Sequence, residues 1–386
     1  MLLVFYNQVS AKMTICYYTN GLNQINYAHS TVIRKDSFTD IEYLLPLYFL
    51  SNQTNQMKRI LFISLISLLF ISCKQTYQEE QGIIFRTFYQ VKYQSDTLLT
   101  EKIKAELATF DLSLNPFNPN SILAKVNRNE KVDVDHWFTV VFNKAMEVSE
   151  QSDGLFDVTA APLINLWGFG FESYDEISPE IVDSIKTFVG YKKVRLEGSR
   201  VIKDDPRLLL NFSAIAKGYA CDVIAELLER EGVENYMVDI GGEITAKGKN
   251  AKGVCWRIRI NEPEGDAFIM KNTFEEVIQL CGKNGMATSG DYRNFYIKDG
   301  IKYAHTIDPT TGYPAEQNIL SATIVASDCM TADAYATAFM AMGFDAACRM
   351  AEQIPEIEYY LIYSGDDSFT RIEYSEGMSS MLVNRK

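Results

Sequence analysis

In TADAYATAFMAMGF, Asp333 and Thr337 stand at i and i+4, so a helix puts a carboxylate and a hydroxyl on one face about a turn apart. Both are hard oxygen donors of the kind Mg²⁺ accepts, its remaining positions going to phosphate oxygens and water. An Asp and a Thr near a helix start also serve as capping groups, so the pair alone does not decide. A second stretch, NFSAIAKGYACDVIAELLEREG, occupies residues 211–232. From Tyr219 onward its apolar residues fall at Val223, Ile224, Leu227 and Leu228, the period of an amphipathic helix. Asn211 or Ser213 is placed to cap that helix. Free first-turn N–H groups, the Lys217 ammonium and a close backbone approach at Gly218 suit a phosphorylated ligand. In isolation the same stretch reads as a capped surface helix. His305, in the polar, turn-rich HTIDPTTGYP, is a candidate general base, with a structural histidine as the plainer alternative. In DGLFDVTAAPLINLWGFG, Asp157 lies among apolar and aromatic groups. That combination suits a polar-edged aromatic ring, recognised by stacking plus a hydrogen bond, or else a tight loop around a core tryptophan.

The elements that must position these residues read unevenly. Residues 1–56 show no amphipathic period and are expected not to form a folding unit; they read as an extension upstream of a start at Met57. From there MKRILFISLISLLFISCKQ carries Lys58 and Arg59, then an apolar run too short to span a bilayer comfortably, then Cys73 after the small Ser72. This resembles a bacterial lipoprotein signal over residues 57–72, with Cys73 acylated as the first mature residue. Residues 73–81 follow as a polar tether and residues 82–386 as the body. The expected location is the periplasmic side of a membrane, the inner membrane by preference, held by the lipid.

Net charge is −13, and removal of residues 1–72 takes away five basic and three acidic residues, leaving the body more acidic still. Such a surface is a poor partner for nucleic acid. Beyond Cys73 the cysteines are Cys221, Cys255, Cys281, Cys329 and Cys348. Their odd number and the lack of any CxxC suggest neither a disulfide framework nor a zinc site, and they are expected in the core. No GxGxxG passes from a strand into a helix and no GxxxxGK[ST] is present, which excludes Rossmann and P-loop nucleotide sites.

Alternation predicts a strand over 82–94, and helical spacing follows over 98–110 and 136–152, separated by a long loop rich in Pro and Asn. After residue 232 the chain reads as strands over 235–247 (broken by a Gly-Gly turn), 255–261, 268–278, 292–298, 302–307 and 319–326. Runs of strands interrupted by a few long helices favour an α+β class.

Six segments in order carry a resemblance that covers residues 82–386: DGLFDVTAAPLINLWGFG, NFSAIAKGYACD, VDIGGEI, MATSGDYRNF, HTIDPTTGYP and TADAYATA. Together they resemble the ApbE family of FAD:protein FMN transferases. The resemblance implies an α+β fold related to the T-fold, with a mixed sheet and packed helices. It also implies a periplasm-facing, Mg²⁺-dependent enzyme that cleaves FAD, joins FMN through a phosphoester to a threonine of a partner protein and releases AMP.

Carried over by motif, the metal ligands fall on the Ala214 carbonyl and on the side chains of Asp333 and Thr337. Flavin-binding positions fall on Phe85, Asn115, Leu155, Phe156, Asp157, Asn211, Lys217, His305 and Ile307. His305 matches the proposed catalytic base, and Asp333 acts in catalysis through the metal. Four positions depart from the family's pattern: Arg86 stands where Gly is frequent, Asn115 where Tyr is common, Asn211 where the motif opens on an acid, and Glu243 in place of Asp. The implied partner is a subunit of a membrane redox complex of the Rnf or Na⁺-pumping NADH:quinone oxidoreductase type. The same site could instead hydrolyse FAD to FMN and AMP. A non-catalytic FAD-binding lipoprotein is the reading from another class, against which Asp333, Thr337 and His305 together speak.

The signal makes a direct prediction: mass spectrometry of the mature protein should find a lipid-modified N-terminal Cys73 and no peptide from residues 1–56. A peptide from that region would refute the assignment of the start to Met57.

Overall fold

The computed structural model describes residues 2–7, 12–17, 76–170, 177–260, 276–290, 295–298, 301–304, 306–315, 317–365, 367 and 369–383. The chain divides into residues 1–74 and 75–386. In the first unit Leu2–Asn7 (β1) and Lys12–Tyr17 (β2) pair antiparallel. The signal segment 57–72 and Cys73 lie outside the described residues. Among the described residues no helix is long and apolar enough to cross a membrane.

The second unit is built on an eight-stranded sheet. Its strands are Tyr77–Ile84 (β3), Thr87–Gln94 (β4), Tyr236–Ile240 (β7), Glu243–Lys247 (β8), Asn284–Gly290 (β11), Ile319–Ala326 (β14), Glu358–Ser364 (β15) and Thr370–Tyr374 (β16). The order across the sheet is β16-β15-β14-β11-β8-β7-β4-β3, and every ladder is antiparallel where a mixed sheet was expected. The α+β class is as expected. Outside this sheet lie hairpins of Val194–Glu197 (β5) with Arg200–Lys203 (β6) and of Phe295–Lys298 (β12) with Ile301–Ala304 (β13). A three-stranded sheet joins Trp256–Arg259 (β9), Val277–Leu280 (β10) and Leu382–Val383 (β17).

Alternate residues of the central strands enter different cores. Val238, Ala287 and Ile324 pack with the helices Thr100–Leu114 (α1), Ile122–Asn127 (α2), His136–Gln151 (α3), Ala216–Arg230 (α6) and Cys329–Met342 (α7), whereas Met237, Met286 and Val325 pack with Trp256, Ile278 and Leu280. Burial on both faces explains why strands such as ILSATIVA carry continuous small and apolar runs rather than polar alternation. A third, smaller core gathers Leu163, Leu166 and Trp167 of the Ala161–Leu166 region (α4) with Val182 and Ile185 of Pro179–Lys186 (α5) and Ile307.

Three readings of the sequence change here. The single strand expected over 82–94 is a hairpin, because Phe85 and Arg86 both take positive φ (51° and 61°) in a two-residue turn that carries no glycine or proline to announce it. Residues 77–81 of the expected tether belong to its first strand. The polar MATSG, outside every expected strand, is the heart of central strand β11; its Thr288 hydroxyl is satisfied by Thr323 across the ladder at 2.9 Å. Gly285 is required there, since a Cβ would meet the backbone of Asp328 and Cys329 at 2.1 Å, where helix α7 begins.

Cys255 and Cys281, expected as free core residues, form a disulfide. Spacing gave no hint, but the β9–β10 ladder ends on Trp256 opposite Leu280, which brings the next residues face to face. Closing a loop of 26 residues stabilises the fold by about 3 kcal/mol through the unfolded chain. The paired variant Cys255→Ala with Cys281→Ala should therefore melt several degrees lower than the oxidised wild type by circular dichroism. Equal melting temperatures would mean that the bridge adds no net stability.

Candidate active site

Helices α6 and α7 cross with almost no side chain between them. A Cβ at Gly218 would lie 2.3 Å from the Cys329 carbonyl oxygen and 2.8 Å from Asp333 Cβ, so only glycine permits the approach. The same residue's N–H, which a regular helix would direct to the carbonyl four residues back, donates to Asp333 Oδ2 at 3.0 Å. Among the described residues no backbone donor is directed at the Ala214 carbonyl. That oxygen is therefore left without a helix partner, beside the carboxylate that displaced it. Ala214, Asp333 and Thr337 line one cavity.

The start of α6 differs from expectation. The helix begins at Ala216 with Ile215 at its N-cap, and no side chain caps it. Asn211 and Ser213 instead form a local turn in which Asn211 Oδ1 accepts the Ser213 N–H at 2.9 Å. This turn carries the chain into the Ala214 carbonyl.

Helix α7 is fixed from outside itself. Asp328 caps it by accepting the Thr331 N–H at 2.8 Å. The carboxylate of Asp222, from α6, accepts the next free donors, Cys329 N–H at 3.0 Å and Met330 N–H at 2.8 Å, together with the Thr245 hydroxyl at 2.7 Å. One buried side chain thus ties α6, α7 and β8. Burial pushes the Asp222 carboxyl up to about 7, against the pull of the hydrogen bonds it accepts.

Lys217 makes an ion pair with Glu243, the first residue of β8 after the Gly241–Gly242 turn. Glu243 is almost wholly buried, and its Oε2 has no hydrogen-bond partner. Burial raises the carboxyls of Glu243 and Asp333, and Lys217 opposes both shifts. For Lys217, burial works against the ammonium but is outweighed by these two carboxylates, so the amine stays protonated. An orphaned buried acceptor beside a held cation is a place for a ligand's own donor.

The cavity has a volume of about 430 Å³. Phe117, Leu155, Phe156, Phe169 and Ile307 line it with apolar surface, and Asn211, Lys217, Glu243, Ser289, Asp333 and Thr337 supply polar groups. Thr337 Oγ1 lies 3.4 Å from Ser289 Oγ. A ligand with an aromatic part and a phosphorylated part matches this division.

The structure brings nine of the sequence-derived positions to this cavity: Leu155, Phe156, Asp157, Asn211, Ala214, Lys217, Ile307, Asp333 and Thr337. The Asp157 carboxylate is engaged by protein donors, namely Thr159 N–H and hydroxyl, both at 2.7 Å, and Tyr191 N–H at 2.8 Å. Phe85 and Asn115 are not among the lining residues. The Phe85 ring packs edge-on against Phe110 at 5.7 Å, in the core. Asn115 ends helix α1, donating to Asp111 Oδ1 at 2.7 Å and accepting the Phe117 N–H at 2.9 Å. Its effect on the cavity is through Phe117, whose ring also carries the Arg86 guanidinium at 4.2 Å. His305 lies outside the described residues. Sequence reading missed Phe117, although an aromatic in a Pro- and Asn-rich loop was the available signal, and missed Asp222, whose partners are distant in sequence.

Comparison with known proteins bears on these groups. The ApbE family model matches residues 85–361. The FAD:protein FMN transferase of Vibrio cholerae is 37% identical over 324 residues, 80% of this chain and 94% of the relative. That of Haemophilus influenzae is 36% identical, over 75% and 87% of the two chains. Among solved structures, the flavin transferase ApbE from Vibrio cholerae superposes with a TM-score of 0.72 at 33% identity, covering 80% of this chain and 99% of that one. The ApbE protein of Thermotoga maritima gives 0.67 at 28%, over 79% and 99%.

The buried Asp222 carboxyl yields a pH prediction. Folded, it holds its proton up to about 7, whereas an unfolded chain releases it near 3.8. Between these values a rise in pH therefore favours the unfolded state. The melting temperature of wild type minus that of Asp222→Asn should fall steadily as pH rises from about 4 to about 7. A difference constant across that range would show that the carboxyl ionises normally in the fold.

Proposed function

The chain belongs to the ApbE family, and we propose that it is an FAD:protein FMN transferase that moves FMN from FAD to a threonine hydroxyl of a partner protein and releases AMP. The observation that carries this reading is the meeting of the Ala214 carbonyl, Asp333 and Thr337 with Lys217 in one cavity that also has an apolar, aromatic side.

The donor set fits magnesium by its chemistry. Among the described residues no group of three or more His, Cys, Asp or Glu side chains could hold a metal. A cation here would rely on one carboxylate, a hydroxyl and a carbonyl freed from its helix, with phosphate and water completing the shell, as Mg²⁺ prefers. Bound there, Mg²⁺ supplies neutralisation of the charge that develops on the leaving phosphate.

The chain's own residues do the rest. Lys217, kept protonated by Glu243 and Asp333, offers its ammonium to the diphosphate. Leu155, Phe156, Phe169 and Ile307 receive the isoalloxazine and exclude water from one side of the cavity. The acceptor oxygen attacks the FMN phosphorus in line, the bond from that phosphorus to the AMP phosphate oxygen breaks, and AMP leaves with the electron pair. The acceptor's proton passes to His305, whose role rests on the motif. The lipoprotein signal ending at Cys73 and the Cys255–Cys281 disulfide, which suits an oxidising compartment, support a lipid-anchored enzyme facing the periplasm. Its acceptor is then a membrane redox subunit of the Rnf or Na⁺-pumping NADH:quinone oxidoreductase type.

Incubation of the purified body with FAD, Mg²⁺ and such a subunit should give a flavin-fluorescent acceptor band after denaturing electrophoresis. Free FMN with a dark acceptor would establish hydrolysis instead. Asp333→Ala should lower transfer on the order of 100-fold or more and weaken FAD binding. Full activity in that variant would remove the metal assignment.

A further inference from the structure

A second concavity, of about 660 Å³, lies beside the first. It is bounded by the β3–β4 hairpin and the Gly241–Gly242 turn, and Gly241 lines both cavities. The wall between them is thin at that glycine. A Cβ there would sit 3.0 Å from the Thr87 side chain, which lines the outer cavity, and 3.4 Å from the buried, unpartnered Oε2 of Glu243, a residue that lines the inner one.

The outer cavity has an apolar lip. Ile83 and Phe88 are paired across the hairpin, hence on one face, and are 70% and 77% exposed. Tyr77, on the same face at the other end of β3, packs against the core that contains Trp256. Ile83 and Phe88 belong to no core cluster of the described residues. The strand that carries Ile83 is also the terminal strand of the eight-stranded sheet, so among the described residues no strand pairs with its outer backbone groups.

We propose that this corner docks the acceptor: an extended segment of the partner protein seats an apolar side chain on Ile83 and Phe88, runs beside β3 and delivers its hydroxyl past Gly241 to the FAD phosphorus. The proposal rests on the transferase reading above. Transfer to a protein, unlike hydrolysis, needs a surface continuous with the nucleotide cavity that holds a polypeptide while its oxygen reaches the reacting phosphorus. The concavity that shares Gly241 offers that continuity, and an edge strand with an exposed aromatic beside it offers both main-chain pairing and an anchor.

The test compares wild type with the paired surface variant Ile83→Asp and Phe88→Asp. The probe is the soluble domain of the flavin-carrying subunit of a Na⁺-pumping NADH:quinone oxidoreductase, with covalent fluorescence and FAD affinity measured in parallel. The expected result is a rise of tenfold or more in KM for the acceptor, with the FAD Kd changed less than twofold. An unchanged KM would overturn the docking surface while leaving the transferase reading intact. A wild-type enzyme that releases FMN without labelling the acceptor would overturn both. Dimeric wild type with monomeric variant in sedimentation, at equal KM, would assign the corner to self-association and overturn the proposal.

Discussion

One hydrogen bond organises the site: the Gly218 N–H gives up its place in the first turn of α6 and donates to the Asp333 carboxylate of α7. A charge-assisted bond of this kind contributes about 1.5–3 kcal/mol, and breaking it by removing one partner leaves a buried group unsatisfied. Its geometric effect is larger than its energy. It holds a carboxylate against a helix start and takes the natural donor away from the Ala214 carbonyl, so that two oxygens of opposite origin, side chain and main chain, end up in one cavity. Glycine at 218 is the condition for it, since any Cβ would separate the helices.

The charges around that bond form a chain in which each member depends on the next. Asp333 and Glu243 are buried deeply enough to resist ionisation, and Lys217 offsets both. Lys217 in turn stays cationic at a buried position because two carboxylates face it. Within such a cluster, truncating one member leaves the others uncompensated, which costs more than the pair is worth in isolation. The tie from Asp222 to Cys329, Met330 and Thr245 gives this cluster a fixed frame. It sets the N-terminus of α7 against α6 and the sheet one turn before Asp333.

How much of this could be read from the sequence depended on the range of the interaction involved. The periodicity of residues 136–152 and 319–326 gave elements within one residue of those observed, because local pattern and tertiary burial agree there. The Gly-Gly turn likewise appeared where its residue types required it, with φ of 72° and 105° at Gly241 and Gly242. By contrast, the turn at Phe85 and Arg86 uses positive φ in residues that do not advertise it, and β11 hides a central strand behind small polar residues whose hydroxyls pair across the sheet. The disulfide followed from strand register, which spacing alone does not reveal. The site's short-range features, Asp333 with Thr337 and Lys217 with Gly218, were visible as motif. Phe85 and Asn115 were placed by motif alone and lie off the cavity, Phe85 against Phe110 in the core and Asn115 behind Phe117, because packing rather than sequence order decides which aromatic faces inward.

The uncharged residue at 211 follows from the same electrostatics. Its structural task is to accept the Ser213 N–H and shape the turn that leads into the Ala214 carbonyl, and an amide oxygen does this as well as a carboxylate. A carboxylate at that position would add a negative charge to a cavity whose described lining already sets Asp157, Glu243 and Asp333 beside Lys217. Lengthening Asp to Glu at 243 leaves the charge unchanged and changes its reach. From a position at the start of β8, the longer side chain reaches the Lys217 ammonium with one oxygen and leaves the other, unpartnered, toward the thin wall at Gly241. Asn211 thus spares the cavity one negative charge, whereas Glu243 keeps the charge of the Asp it replaces and alters only where the carboxylate reaches, one oxygen on Lys217 and the other buried beside Gly241.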